Sequence, residues 1–72
     1  SADLNLYADL EPQMRRDMES LARVLVKERG LGPEELAVKA GISTQQVRVL
    51  TGLLEADGLA TVDLTGACSL EL

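Results

Sequence analysis

The chain has 72 residues, a formal net charge of −5 and 46% hydrophobic residues, which predicts one small globular domain. It contains one aromatic residue, Tyr7, no histidine and a single cysteine, Cys68. These counts argue against aromatic platforms for single-stranded nucleic acid, zinc fingers, iron–sulfur sites, His-dependent catalysis and an internal disulfide.

Residues 1–11 form a leader in which leucines alternate with polar residues or lie among acids. This pattern fits a short strand, a bound arm or a frayed tail, and composition does not decide between them. The ring of Tyr7 is predicted to tie the leader to the body of the domain. The domain itself is predicted to span residues 12–72.

A first helix is predicted to begin at Pro12, because proline suits the first helical position. It is expected to end near Gly30, with Arg29 in its last turn. Its apolar residues recur at the spacing of one helix face. They are Met14, Met18, Leu21 and Leu25.

A short second helix is predicted from Pro33 to Gly41, with two acids in its positive first turn. Its inward residues are expected to be Leu36, Ala37 and Ala40. Ser43 is predicted to cap a third helix, with Gln46 completing a capping box. This helix should run to about Asp57 and stop at Gly58. Its core face is expected to comprise Val47, Thr51 and Leu54.

Two alternating segments then predict a β-hairpin. The first runs from Ala60 to Leu64, the second from Cys68 to Leu72, and Thr65-Gly66 forms the turn. Cys68 is expected on the inward side, as a small buried hydrophobic residue with an unreactive thiol. A short third strand is possible near Leu31.

The turn between the second and third helices and the step into the hairpin follow a known pattern. The residues that form it are Glu35-Leu36-Ala37, Ala40-Gly41-Ile42-Ser43, Val47, Leu50, Leu54 and Glu55-Ala56-Asp57-Gly58-Leu59. Across residues 12–72 the chain resembles the winged helix-turn-helix of MarR- and ArsR-like regulators. The resemblance implies a mainly α-helical fold, in which a three-helix bundle carries a two- or three-stranded wing. Winged helices bind duplex DNA and also serve as docking and dimerisation modules.

In the DNA-binding families the third helix reads bases in the major groove and the wing contacts flanking phosphates. The resemblance would assign base contacts to Thr44, Gln45, Gln46 and Arg48, and a backbone contact to Lys39.

The sequence departs from those families in its charges. No Lys or Arg occurs from Leu59 to Leu72, and only Lys39 and Arg48 are cationic between Pro33 and Asp57. Because duplex affinity comes largely from neutralising phosphates, a monomer would bind DNA weakly, although a dimer would double the contacts.

The outward strip of the third helix is apolar or small instead of cationic, at about 100° per residue. It consists of Gln45, Val49, Gly52 and Ala56, with Leu53 at its edge. A second pattern lies on the first helix, where Arg16, Arg23 and Lys27 form a basic stripe. That stripe is either a solvated face or a docking strip for an acidic partner or phosphates.

The preferred interpretation is a protein-interaction or assembly module that docks through the outward strip of the third helix. The partner would be a second copy, another domain of the parent chain, or the leader folded back. The alternative is a dimeric, DNA-binding transcriptional regulator. No cluster of residues supports catalysis, a cofactor or a metal. One unpaired cysteine and the lack of a long apolar run favour a cytoplasmic location without membrane contact, within a larger protein or complex.

Overall fold

The computed structural model describes residues 11–71. It contains three helices followed by a two-stranded antiparallel hairpin, which confirms the predicted mainly helical class. The elements are α1 (Pro12–Lys27), α2 (Pro33–Ala40), α3 (Thr44–Ala56), β1 (Ala60–Val62) and β2 (Cys68–Leu70). The predicted contact of Tyr7 lies outside the described residues.

Helix α1 begins as predicted but ends earlier. The side chain of Glu11 caps its start by accepting a hydrogen bond from the Met14 amide at 3.0 Å. Lys27 is the last helical residue, so the prediction that Arg29 lies in the last turn is wrong. The Arg29 guanidinium instead donates to the Leu70 carbonyl at 2.9 Å.

The segment after α1 leaves the helix because it pairs with β2. The Gly30 amide donates to the Cys68 carbonyl at 3.0 Å, and the Cys68 amide donates to the Leu31 carbonyl at 2.9 Å. The possible third strand near Leu31 is therefore a single antiparallel bridge between Leu31 and Cys68. Backbone pairing at this point joins the hairpin to the helices.

Helices α2 and α3 begin and end close to the predicted positions. Gly41 closes α2 in the left-handed conformation at φ 73°, where a side chain would be strained. Ser43 caps α3, because its hydroxyl oxygen accepts from the Gln46 amide at 3.0 Å. The C-cap of α3 is Asp57.

The core is formed by one face of each helix together with residues of the hairpin, and it contains no aromatic side chain among the described residues. The fully or nearly buried hydrophobic residues are Met18, Leu21, Leu25, Leu36, Ala37, Val47, Leu50, Leu54, Ala60 and Cys68. The predicted inward residues Met14 and Ala40 are partly buried against this cluster. Thr51 is also buried, and its hydroxyl donates to the Val47 carbonyl at 2.9 Å.

The hairpin is shorter than the alternation predicts. Val62 pairs with Cys68, and strand β1 ends there, two residues before Leu64. One carboxylate oxygen of Asp63 accepts from the Thr65 amide at 2.8 Å and the Ala67 amide at 3.1 Å. These bonds fold residues 63–67 into a turn, since an aspartate side chain competes for backbone donors. Leu64 is consequently fully exposed.

The turn packs against the start of α2 at Gly66. This glycine has φ 89°, and a Cβ placed on it would lie 3.2 Å from Cδ of the buried Pro33. Both the backbone conformation and the close approach therefore require glycine.

Replacing Gly66 and Gly52 with alanine should change stability in opposite directions. We expect Gly66→Ala to destabilise the domain by about 1–3 kcal/mol, because it adds strain and a contact with Pro33. Gly52 lies in exposed α3 with nothing within 4 Å of a Cβ, so Gly52→Ala should stabilise by about 0.5–1 kcal/mol. Urea unfolding measures the change in the free energy of unfolding of each variant. A change of the same sign in both variants would contradict the different roles of the two glycines.

Candidate functional site

The outward strip predicted on α3 is on the surface. Gln45, Val49, Gly52 and Ala56 are exposed, with Val49 retaining 44% of its accessible surface. They face away from the core because Val47, Leu50 and Leu54 occupy the opposite side of the helix. Leu53 lies between the two faces, half-buried and packed against the core. The strip plus Leu53 is called the α3 face below.

The α3 face has no ionisable side chain, and glycine lies near its middle. A glycine inside a helix costs about 1 kcal/mol relative to alanine. Within the described residues no neighbour comes within 4 Å of the position a Gly52 Cβ would occupy. The internal packing of the domain therefore gives no reason for a glycine here, whereas close approach by another backbone would.

The two cations nearest to the predicted DNA-reading surface are both paired with carboxylates. Arg48 lies 3.7 Å from Glu34 of α2, and Lys39 lies 3.3 Å from Glu28 after α1. Exposed pairs of this kind contribute at most about 1 kcal/mol to stability. They nevertheless neutralise local charge, so a phosphate would have to compete with a carboxylate for each cation.

The remaining candidate base-reading side chains differ in their environments. The Gln46 amide Nε2 donates to an Asp17 carboxylate oxygen at 3.2 Å, so this side chain links α3 to α1. Thr44 is half-buried, whereas Gln45 is exposed. The prediction that Gln46 completes a capping box is wrong, because only its backbone amide bonds to Ser43 while its side chain bonds to Asp17. That contact depends on helix packing and has no local signal in the sequence.

The turn of the hairpin carries negative charge. Besides the backbone amides, the Thr65 hydroxyl donates to the same Asp63 oxygen at 2.6 Å. These hydrogen bonds, that of the Thr65 hydroxyl above all, lower the pKa of Asp63 below its usual value. The side chain is therefore ionised at neutral pH, where a phosphate-binding wing would instead carry cations.

Cys68 is a core residue, as predicted. Its side chain is fully buried, and burial raises the pKa of its thiol, with the negative charge of Glu55 adding to the effect. A thiol that stays protonated and buried is a poor nucleophile and a poor metal ligand.

A groove of about 370 Å³ runs between the second half of α1 and the end of α2. Arg23 and Lys27 of the predicted basic stripe line it, together with Lys39 from α2. The apolar part of its lining is Val24 and Ala40. The sequence predicted the α1 stripe, but it had no signal that would bring Lys39 to it, since that requires the packing of α2 on α1.

Within residues 11–71 no three His, Cys, Asp or Glu side chains are grouped so that they could hold a metal ion. None of the helices in that range combines the length and hydrophobicity needed to cross a bilayer.

The chain has no significant match among protein-family models, curated proteins or solved structures.

The thiol of Cys68 should make stability depend on pH in alkaline solution. The unfolded thiol ionises near its ordinary pKa of 9.0, whereas the folded pKa is higher. The stabilisation is thus complete below pH 9 and is lost as pH rises through the folded pKa. The free energy of unfolding in urea should fall more for the wild type than for the Cys68→Ala variant when the pH is raised from 7.5 to 10.5.

Thiol labelling gives a second measure of the same burial. Native Cys68 should react with a disulfide reagent at least about 100-fold more slowly than in urea, because labelling requires unfolding. Equal rates in both conditions would contradict a buried thiol.

Proposed function

We propose that this domain is a protein-interaction module that docks through the α3 face. The observation that carries the proposal is the combination of exposure and neutrality on that face, with Val49 and Gly52 at its centre. Charged residues are depleted at the centres of interfaces, and small residues allow two helices to approach closely. No catalytic step is part of the proposal.

We further propose that the three helices and the hairpin form a winged helix, with α2 and α3 as its helix-turn-helix. Their order along the chain supports this, as does the turn that Gly41 and the Ser43 cap create between α2 and α3. The Leu31–Cys68 bridge would be the remnant of a third wing strand.

The partner to test first is a second copy of the chain. Two copies that each carry a charge of −5 repel one another, and an uncharged face is where they can approach at least electrostatic cost. A two-fold contact also requires a surface that is complementary to itself, which a smooth helix face with a central glycine can supply. This contact would bring Val49 and Gly52 of one copy against the same residues of the other.

The alternative is a duplex-reading domain that uses the exposed side chain of Gln45 at the start of α3. Two properties argue against it. Lys39 and Arg48 are already paired with carboxylates, and the turn adds the ionised Asp63. With so few free cations on that side, phosphate neutralisation would contribute little affinity.

Val49→Arg should weaken self-association by at least about tenfold, because it places a charge in the centre of the contact. The matched control is Val38→Arg, since Val38 of α2 is 83% exposed and lies outside the α3 face. Sedimentation equilibrium from about 10 µM to 1 mM measures the dissociation constant for both. Urea unfolding should change by no more than about 0.5 kcal/mol in either variant.

Two results would count against this use of the α3 face. One is a wild-type domain that remains monomeric at 1 mM. The other is an equal loss of association in Val49→Arg and Val38→Arg, which would mean that any added charge has this effect.

The wild-type domain should bind a mixed-sequence DNA duplex more weakly than about 100 µM at 50 mM salt, because Lys39 and Arg48 are paired with carboxylates. Fluorescence anisotropy over a salt series measures this affinity. Val49→Arg adds a cation and should increase it slightly. Binding at micromolar concentration or tighter that weakens steeply with salt would favour the DNA-reading alternative.

A further inference from the structure

The groove between α1 and α2 gathers cations from two helices. Arg23 and Lys27 come from α1, and Lys39 comes from α2. The acid in its lining, Glu28, lies 3.3 Å from Lys39. Arg23 and Lys27 form no ion pair with any carboxylate that the structure describes. These two cations can therefore pair with the carboxylates of a ligand.

The lining of the groove is partly apolar. Val24 and Ala40 are half-buried and supply the apolar surface, and Ser20 adds one hydroxyl group. A ligand that contacts the whole groove therefore carries both negative charge and an apolar group. A small inorganic anion has only the first of these.

The positive charge continues from the groove toward the start of α1. Arg16, Arg23 and Lys27 lie on one side of the helix and span about 16 Å at 1.5 Å per residue. The Arg16 guanidinium donates to the Gln13 side chain at 3.0 Å, and it forms no ion pair with a carboxylate of residues 11–71. An extended peptide covers about 3.3 Å per residue, so about five residues match the length of the stripe.

The surroundings of the groove favour a short acidic segment over a nucleic acid. Glu28 lines the groove, and Glu19 is exposed one turn before Arg23 on α1. The chain as a whole carries a net charge of −5. A long polyphosphate would extend beyond the cations and meet this negative charge, whereas a short segment places its carboxylates only where the cations lie.

We propose that the groove and the basic stripe bind a short acidic segment of a partner protein. The segment has carboxylates near both ends and apolar side chains between them. Its carboxylates pair with Arg16 at one end and with Arg23 and Lys27 at the other.

The apolar side chains of the bound segment cover Val24 and Ala40. Exposed ion pairs are individually weak and are screened by salt, so this contact is reversible and salt-sensitive. The surface lies on α1 and α2 and does not include the α3 face.

The experiment measures binding of a fluorescein-labelled peptide that has three glutamates on each side of two leucines. Fluorescence anisotropy with the full chain at 50 mM salt should give a dissociation constant below about 300 µM. The constant should rise at least about fivefold at 500 mM salt. A peptide with serines in place of the leucines should bind at least about threefold more weakly, because it covers no apolar surface.

Arg23→Glu/Lys27→Glu should weaken binding of the leucine-containing peptide at least about tenfold. The matched control is Arg15→Glu/Arg48→Glu, because it changes the net charge equally at two exposed cations outside the groove. The control should change the dissociation constant by no more than about twofold. Dispersed amide NMR spectra show whether each variant is folded.

An NMR titration of the wild-type chain with the same peptide tests the location without any substitution. The largest shifts should occur at the amides of Ser20, Val24 and Ala40, while Val49 and Gly52 of the α3 face should remain unchanged. Shifts confined to the α3 face would overturn the proposal and leave that face as the docking surface.

Four further results would overturn the proposal. The first is a dissociation constant above 300 µM for the wild type at 50 mM salt. The second is an equal loss of affinity in the control, which would mean attraction by overall charge. The third is displacement of the peptide by an oligonucleotide of eight thymidylates at lower concentration than by unlabelled peptide. The fourth is self-association, measured by sedimentation equilibrium, that Arg23→Glu/Lys27→Glu abolishes, which would mean that a second copy occupies the groove.

Discussion

The fold of the described residues, 11–71, depends on packing their aliphatic side chains into a core. Leu21, Leu36 and Leu50, one from each helix, are completely buried, so each helix must present its apolar face to the other two. The apolar face of each helix covers only part of its circumference, so the opposite side of the helix is left to solvent. The exposure of the α3 face and of the basic stripe on α1 follows directly from this arrangement.

The hairpin completes the core through Cys68. This residue is buried and forms the backbone bridge to Leu31, so the segment between α1 and α2 cannot continue as helix. Arg29, which follows α1, lies on the hairpin, where its guanidinium donates to the Leu70 carbonyl. The same packing brings Lys39 beside Arg23 and Lys27. Among residues 11–71, the groove between α1 and α2 therefore holds two cations, Arg23 and Lys27, that form no ion pair with a carboxylate, whereas the α3 face is neutral.

Most of the helical architecture could be predicted because its signals are local. Pro12, Pro33 and Ser43 mark helix starts by their own backbone or side-chain chemistry, and Gly41 marks an end by its left-handed conformation. The predicted end of a helix or strand is wrong where another contact competes for the same backbone groups. Strand alternation predicted that β1 would reach Leu64, but the Asp63 carboxylate captures backbone donors and turns the chain earlier. For the candidate site, the outward position of Val49 and Gly52 could be predicted from helical periodicity alone.

The sequence by itself determined the class of the fold, the residues of the core and the neutrality of the α3 face, because helix periodicity and capping act over a few residues. Only the tertiary structure decided which charges remain free. Glu28 and Glu34 reach Lys39 and Arg48 across different elements, and Asp17 reaches Gln46 in the same way. Such pairs depend on how the elements pack in three dimensions. The net charge of −5 could be counted from the sequence, but its distribution over the surface required the fold.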